Sequence, residues 1–200
     1  SCSHQAPGKG QPDIELRLTE AGSPLIRYQG RIDRRIPGEA AFDWPASGLE
    51  IRFTGTAVGL VFEDSGDNDF TAWIDGREQP RITAVKGENR LILAARLKPG
   101  EHTLRFAKST ESYQGITRIR GILLEPEATL LPVPERALRI HVFGDSYSAG
   151  YGTVAPALDT GWHREHADAC HAWPFLLAEA LDADLTVTAA SGRGVGMLPV

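Results

Sequence analysis

The sequence predicts two architectures in tandem: an all-β sandwich over residues 13–126, then the start of an α/β parallel sheet over residues 137–200. Three observations carry this. Short β-branched or aromatic runs, divided by turn residues, fill the first part. Prolines at 126, 132 and 134 interrupt the chain. After them the pattern becomes strand, glycine-rich turn, helix, strand and glycine-rich turn again.

Residues 1–12 are rich in Gly, Pro and small polar side chains and read as a flexible leader. Ser1-Cys2 resembles the end of a bacterial lipoprotein cleavage site, where the cysteine takes lipid; an ordinary terminal cysteine is the alternative. No basic start followed by an apolar stretch marks a signal peptide. The only other cysteine is Cys170, so a disulfide framework is not expected.

From residue 13 the strand signals run at 50–53 (E-I-R-F), 57–62, 70–74, 90–94 and 102–106. Turn chemistry separates them at Pro45-Ala46-Ser47-Gly48, Asp64-Ser65-Gly66-Asp67-Asn68, Asp75-Gly76 and Lys98-Pro99-Gly100. Short strands at this spacing suggest a β-sandwich. No helix is expected before Val133. Residues 127–136 read as a linker.

Beyond the linker, residues 138–143 (L-R-I-H-V-F) form an apolar strand. Residues 173–181 have helical periodicity, with Pro174 early, where a first turn prefers it. Residues 185–189 form a second strand. A right-handed crossover puts the carboxyl ends of both strands on one rim, where ligands bind in open parallel sheets.

Composition narrows the function. The net charge of −5 offers no basic footprint for nucleic acid. No apolar run approaches the length of a membrane span.

The strongest chemical signal is Gly144-Asp145-Ser146-Tyr147-Ser148-Ala149-Gly150-Tyr151-Gly152, directly after an aliphatic strand. A serine at a strand-to-helix turn is held with its hydroxyl outward, at the positive end of a helix dipole. The bland alternative is a turn in which Asp145 or Ser146 merely caps a helix. The block resembles the first motif of the SGNH, or GDSL, hydrolases. The resemblance implies a flavodoxin-like three-layer α/β fold, with Ser146 as nucleophile and its backbone N–H in the oxyanion hole. Asp145 would support the nucleophile turn.

Ala190-Ser191-Gly192-Arg193-Gly194 follows the second strand, and Gly192 matches the family's second oxyanion donor. Two N–H groups at neighbouring strand ends can meet developing negative charge. A tight turn that merely needs glycine is the alternative. The glycines at 192, 194 and 196 alternate, which is not the spacing of a dinucleotide loop.

The first part narrows the family. Gly30-Arg31-Ile32-Asp33, Phe42-Asp43-Trp44-Pro45, Phe53-Thr54-Gly55-Thr56, Trp73-Ile74-Asp75-Gly76 and Lys108-Ser109-Thr110-Glu111, then Gly121-Ile122, resemble the jelly-roll domain of carbohydrate esterase family two. Trp173-Pro174 also fits. The resemblance implies a serine esterase that removes acetyl groups from sugars or plant polysaccharides, without a cofactor and outside the cytoplasm, either secreted or periplasmic. It also calls for an Asn in a Gly-x-Asn-Asp block and a late general-base His. Neither follows Ser191 in this sequence. They are expected beyond Val200, in a further segment or a second chain. The competing function is a non-catalytic carbohydrate-binding sandwich followed by a hydrolase remnant.

Other groups carry weaker signals. His163, His166, Cys170 and His171 have irregular spacing for zinc. His166 or His171 is a nearer alternative for the base. Asp64, Asp67, Asn68 and Asp69 lack EF-hand spacing, and a solvated turn is expected. Trp44, Trp73, Phe53 and Phe70 read as core rather than a sugar platform. Tyr147, Tyr151 and Trp162 are the candidates for touching a sugar.

Overall fold

The computed structural model describes residues 14–157, 161 and 163–194. Trp162 and the leader therefore lie outside the described residues, as does Cys2.

Among the described residues, twelve strands precede Pro132: β1 (Arg17–Glu20), β2 (Arg27–Gln29), β3 (Ala40–Phe42), β4 (Gly48–Gly55), β5 (Val58–Asp64), β6 (Asp69–Ile74), β7 (Arg77–Glu78), β8 (Ile82–Thr83), β9 (Gly87–Ala94), β10 (Gly100–Lys108), β11 (Thr117–Leu124) and β12 (Leu130–Leu131). They form two antiparallel sheets. One runs β1-β11-β5-β9, with β3 also on β11. The other runs β12-β4-β10-β6-β7, with β2 also on β4 and β8 on β6.

Alternation explains how each sheet faces the other. Leu49, Ile51 and Phe53 of β4 are buried, while Glu50 and Arg52 between them are not. Phe62 from the first sheet meets Phe70 and Phe106 from the second, and Phe70 stacks on Phe106 at 4.6 Å between ring centres. Such aromatic pairs contribute about 0.5–1.5 kcal/mol beyond the area they bury. Phe53 and Phe70 are core, as expected. Trp73 and Trp44 are only partly buried.

The acidic turn after β5 corrects the sequence reading. Asp64, Asn68 and Asp69 are buried, not solvated. The amide of Asn68 donates to both carboxylate oxygens of Asp64 at 3.1 and 3.0 Å. The Thr117 hydroxyl also donates to Asp64, at 2.8 Å, and the Thr110 hydroxyl donates to Asn68 Oδ1 at 2.9 Å. The network satisfies Asp64 and Asn68, which would otherwise be costly to bury.

The stretch read as a linker contains β12, which pairs with β4. Just past it, Arg136 bonds Asp182 at 2.8 Å and Glu50 at 3.1 Å. After this come β13 (Leu138–Gly144), α1 (Ser146–Ala149), α2 (Trp173–Ala180) and β14 (Ala183–Ala189). β13 and β14 pair in parallel from Leu138↔Ala183 to Gly144↔Ala189, as the strand–helix–strand pattern predicts. Phe143 is 63% exposed, and Leu138, Trp173, Leu176 and Leu181 are also open. Parallel sheets normally bury such faces.

The second unit packs on the first. Its apolar cluster joins Phe175, Ala178, Leu185 and Val187 to Ala46 and Ala107 of the sandwich. Trp73 stacks on Phe175 at 5.3 Å. The Arg105 guanidinium lies 4.4 Å from the Phe175 ring centre and pairs with Glu179.

One contact on the sandwich gives a pH test. His102 Nδ1 faces Asp75 Oδ2 and Nε2 faces the Lys98 carbonyl, each at 2.7 Å. Two acceptors suit an imidazolium, which donates from both nitrogens. The bond to Asp75, then the Lys98 carbonyl, raises the pKa of His102 above the ordinary histidine range, against a smaller push down from burial. A raised histidine pKa gives stability that is complete below about pH 6.5 and lost as pH rises through the folded-state value. Wild type should therefore exceed His102→Gln in Tm most near pH 5.5 and least near pH 9. Thermal unfolding across that range checks this; a gap that widens with pH contradicts it.

Candidate active site

The turn at residues 144–152 is built by close approach. Gly144 ends β13, and a Cβ there would stand 2.2 Å from the Ser148 hydroxyl oxygen. Only glycine lets the buried Ser148 tuck under the strand end. Asp145 is the N-cap of α1, its Oδ1 accepting from Tyr147 N–H at 3.1 Å. Its carbonyl accepts from the amides of Ser148 and Ala149. Gly150 closes the helix in the left-handed conformation, φ 86°, where a Cβ would strike the Asp168 backbone at 2.5 Å. Ser146 is the first helical residue and is half-buried. The helix is a single turn, so the dipole assistance expected from sequence is small.

Gly192 sits in the turn that follows β14, with φ 73°. Gly144 and Ala189 are register partners, and the Ala190 amide donates to the Gly144 carbonyl at 3.3 Å. The Ser146 and Gly192 turns therefore leave adjacent strand ends on one rim. Tyr147 is 82% exposed and Tyr151 is also open to solvent.

Among the described residues no group of three or more His, Cys, Asp or Glu is arranged to hold a metal ion. Cys170 is a free, buried thiol packed against the carbonyls of Ala107 and Lys108. Burial, then the Asp168 charge, pushes that thiol up, leaving it unreactive. His171 places Nδ1 at 3.0 Å from Asp168 and Nε2 at 3.1 Å from Glu78. With both nitrogens held by carboxylates it is poorly placed as a base for Ser146. Among the described residues no helix is long and apolar enough to cross a membrane.

Sequence reasoning gave no role to individual members of Lys108-Ser109-Thr110-Glu111. All four are fully buried, and each ties a different segment. Lys108 Nζ donates to the carbonyls of Asp43 and Gly115 at 2.7 and 2.8 Å. The Ser109 carbonyl accepts from Ala169 N–H at 2.9 Å. Thr110 holds Asn68. Glu111 reaches Ser191. The only local signal for this is four consecutive polar residues ending a core strand.

Residues 28–134 match the family described as Carbohydrate esterase 2 N-terminal. The chain belongs to that family. It is 30% identical over 161 residues to an acetylxylan esterase / glucomannan deacetylase of Cellvibrio japonicus, covering 80% of this chain and 44% of the relative. It is 25% identical over 183 residues to the cellulase/esterase CelE of Acetivibrio thermocellus, covering 92% of this chain and 22% of the relative. A family two carbohydrate esterase from Clostridium thermocellum, solved in complex with cellohexaose, superposes with a TM-score of 0.81 at 26% identity, over 86% of this chain and 53% of that one. The chain thus spans about half or less of these relatives.

Asp145→Ala tests the turn. Losing an N-cap costs about 1 kcal/mol. The expected result is a folded variant with lowered Tm, read by thermal unfolding.

Proposed function

We propose that this chain forms the sandwich and nucleophile portion of a serine-dependent carbohydrate O-acetyl esterase with an SGNH-type α/β domain. The observation that carries it is the placement of Ser146 and Gly192 on adjacent ends of a parallel strand pair, in a member of the carbohydrate esterase 2 family.

In this reading Ser146 Oγ attacks the acetyl carbonyl while a histidine takes its proton. The amides of Ser146 and Gly192, with an Asn side chain, receive the oxyanion. The sugar oxygen leaves, protonated by the same histidine. Water then attacks the acyl-enzyme, giving acetate and free serine. The histidine and asparagine are assigned to the part of the relatives that this chain does not cover. A continuing α/β sheet there would cover the open face around Phe143. Acetylated xylan or glucomannan is the proposed substrate class, and an extracytoplasmic site follows from polymers of that kind. Tyr147 and Tyr151, on the exposed side of the nucleophile turn, are the proposed sugar contacts, with Trp162 assigned from sequence.

The test is acetate release from acetylated xylan and acetylated glucomannan by the complete protein. Release from either supports the reading. A folded protein that binds the polymers and releases no acetate supports the non-catalytic alternative.

A further inference from the structure

Glu111 lies just beyond β10 in the sandwich, yet its carboxylate serves the other unit. Oε2 accepts from the Ser191 N–H at 2.7 Å and Oε1 accepts from the Ser191 hydroxyl at 2.6 Å. The carboxylate is anchored from behind. The Tyr113 hydroxyl donates to Oε1 at 3.4 Å, and the Gln114 N–H donates to the Glu111 backbone carbonyl at 3.2 Å. Gln114 Oε1 in turn accepts from the Glu111 amide at 3.0 Å. Glu111 itself is fully buried.

The Ser191 turn needs such a tether. Where a Cβ on Gly192 would stand, no atom of the described residues lies within 4 Å. None of them packs on the turn from that side. Two bonds from one carboxylate fix the amide and the side chain of Ser191, and the Arg193 N–H, donating to the Ala190 carbonyl at 3.1 Å, closes the turn around the peptide plane that carries the next N–H. That N–H is Gly192's.

We propose that Glu111 is a positioning residue of the esterase site, a sandwich carboxylate that aims the Gly192 amide at the oxyanion. The proposal rests on the esterase reading above. It gives the sandwich a part in the chemistry through a single buried side chain. Oxyanion donors act only when they are preorganised, and misplacing a reacting group by about 1 Å can cost about 100-fold.

The test compares the complete protein with its Glu111→Gln, Ser191→Ala and Ser146→Ala variants. Acetate-release kinetics are combined with amide hydrogen exchange of the peptide containing residues 185–194. Glu111→Gln has nearly the same shape but replaces one acceptor oxygen with an NH2 group. Its kcat should fall about 10- to 100-fold with KM within about twofold, and the turn peptide should exchange faster. Ser191→Ala removes only the hydroxyl bond from an accessible turn, so it should fold, with a smaller loss in kcat and a smaller gain in exchange. A wild-type kcat in either folded variant overturns the proposal, as does unchanged exchange. The esterase reading is judged separately. If Ser146→Ala is as active as wild type, that reading fails. If Ser146→Ala is inactive while Glu111→Gln is fully active, only the positioning role fails.

Discussion

Ser146→Ala in the complete protein should abolish acetate release while leaving the fold intact. Removing the nucleophile of a serine protease triad costs on the order of a millionfold, with some residual rate from the oxyanion hole and binding. The substitution deletes one hydroxyl from a half-buried residue. The backbone bonds of the turn, from Ser148, Ala149 and Tyr151, do not involve that hydroxyl. The stability change should therefore stay within about 1 kcal/mol. Circular dichroism and thermal unfolding supply the folding control. A folded variant that keeps more than about a tenth of the wild-type rate contradicts the nucleophile role. Ser148 does not replace it readily, because it is buried beneath Gly144.

Lys108→Met should cost about 2–4 kcal/mol of stability, the largest such loss expected from a single polar side chain here. The Lys108 ammonium is fully enclosed and donates to two backbone carbonyls from separate loops, Asp43 and Gly115. Methionine fills similar volume but leaves both carbonyls without that donor. Burial lowers the Lys108 pKa to about 8, although the Asp64 and Asp43 charges pull the other way. The sign follows. Below about pH 8 the lysine is charged in both folded and unfolded chains, and the full cost of burying that charge is present. Between about pH 8 and 10.4 the folded chain sheds its proton first, so stability rises with pH. Tyr28, pushed up by burial to about 12, acts oppositely above about pH 10. Urea unfolding from pH 7 to 10 should show wild type gaining stability relative to Lys108→Met. A variant as stable as wild type at pH 7 contradicts the account.

The long strands and the parallel pair were legible because alternation and turn residues are local. E-I-R-F at residues 50–53 states its own inner face, and the Gly-Asp-Ser turn announces itself after an aliphatic strand. The short strands β2, β3 and β12 carry no such pattern. They exist because β4 and β11 offer them backbone partners. The acidic turn after β5 misled for the same reason: its burial depends on Thr110 and Thr117, more than forty residues away. α1 reads as a helix start but stops after one turn, where Gly150 takes the left-handed conformation and lies too close to the Asp168 backbone to carry a side chain. The Glu111 contact spans 80 residues and joins two units, which no periodicity can report.

On the proposed mechanism the attacking oxygen belongs to Ser146. Treating the complete protein with a fluorophosphonate and mapping the modified peptide by mass spectrometry tests it most directly. One phosphonyl group per chain is expected, on Ser146, with loss of acetate release in proportion to labelling. A protein that releases acetate but takes the label elsewhere, or remains unlabelled, contradicts it.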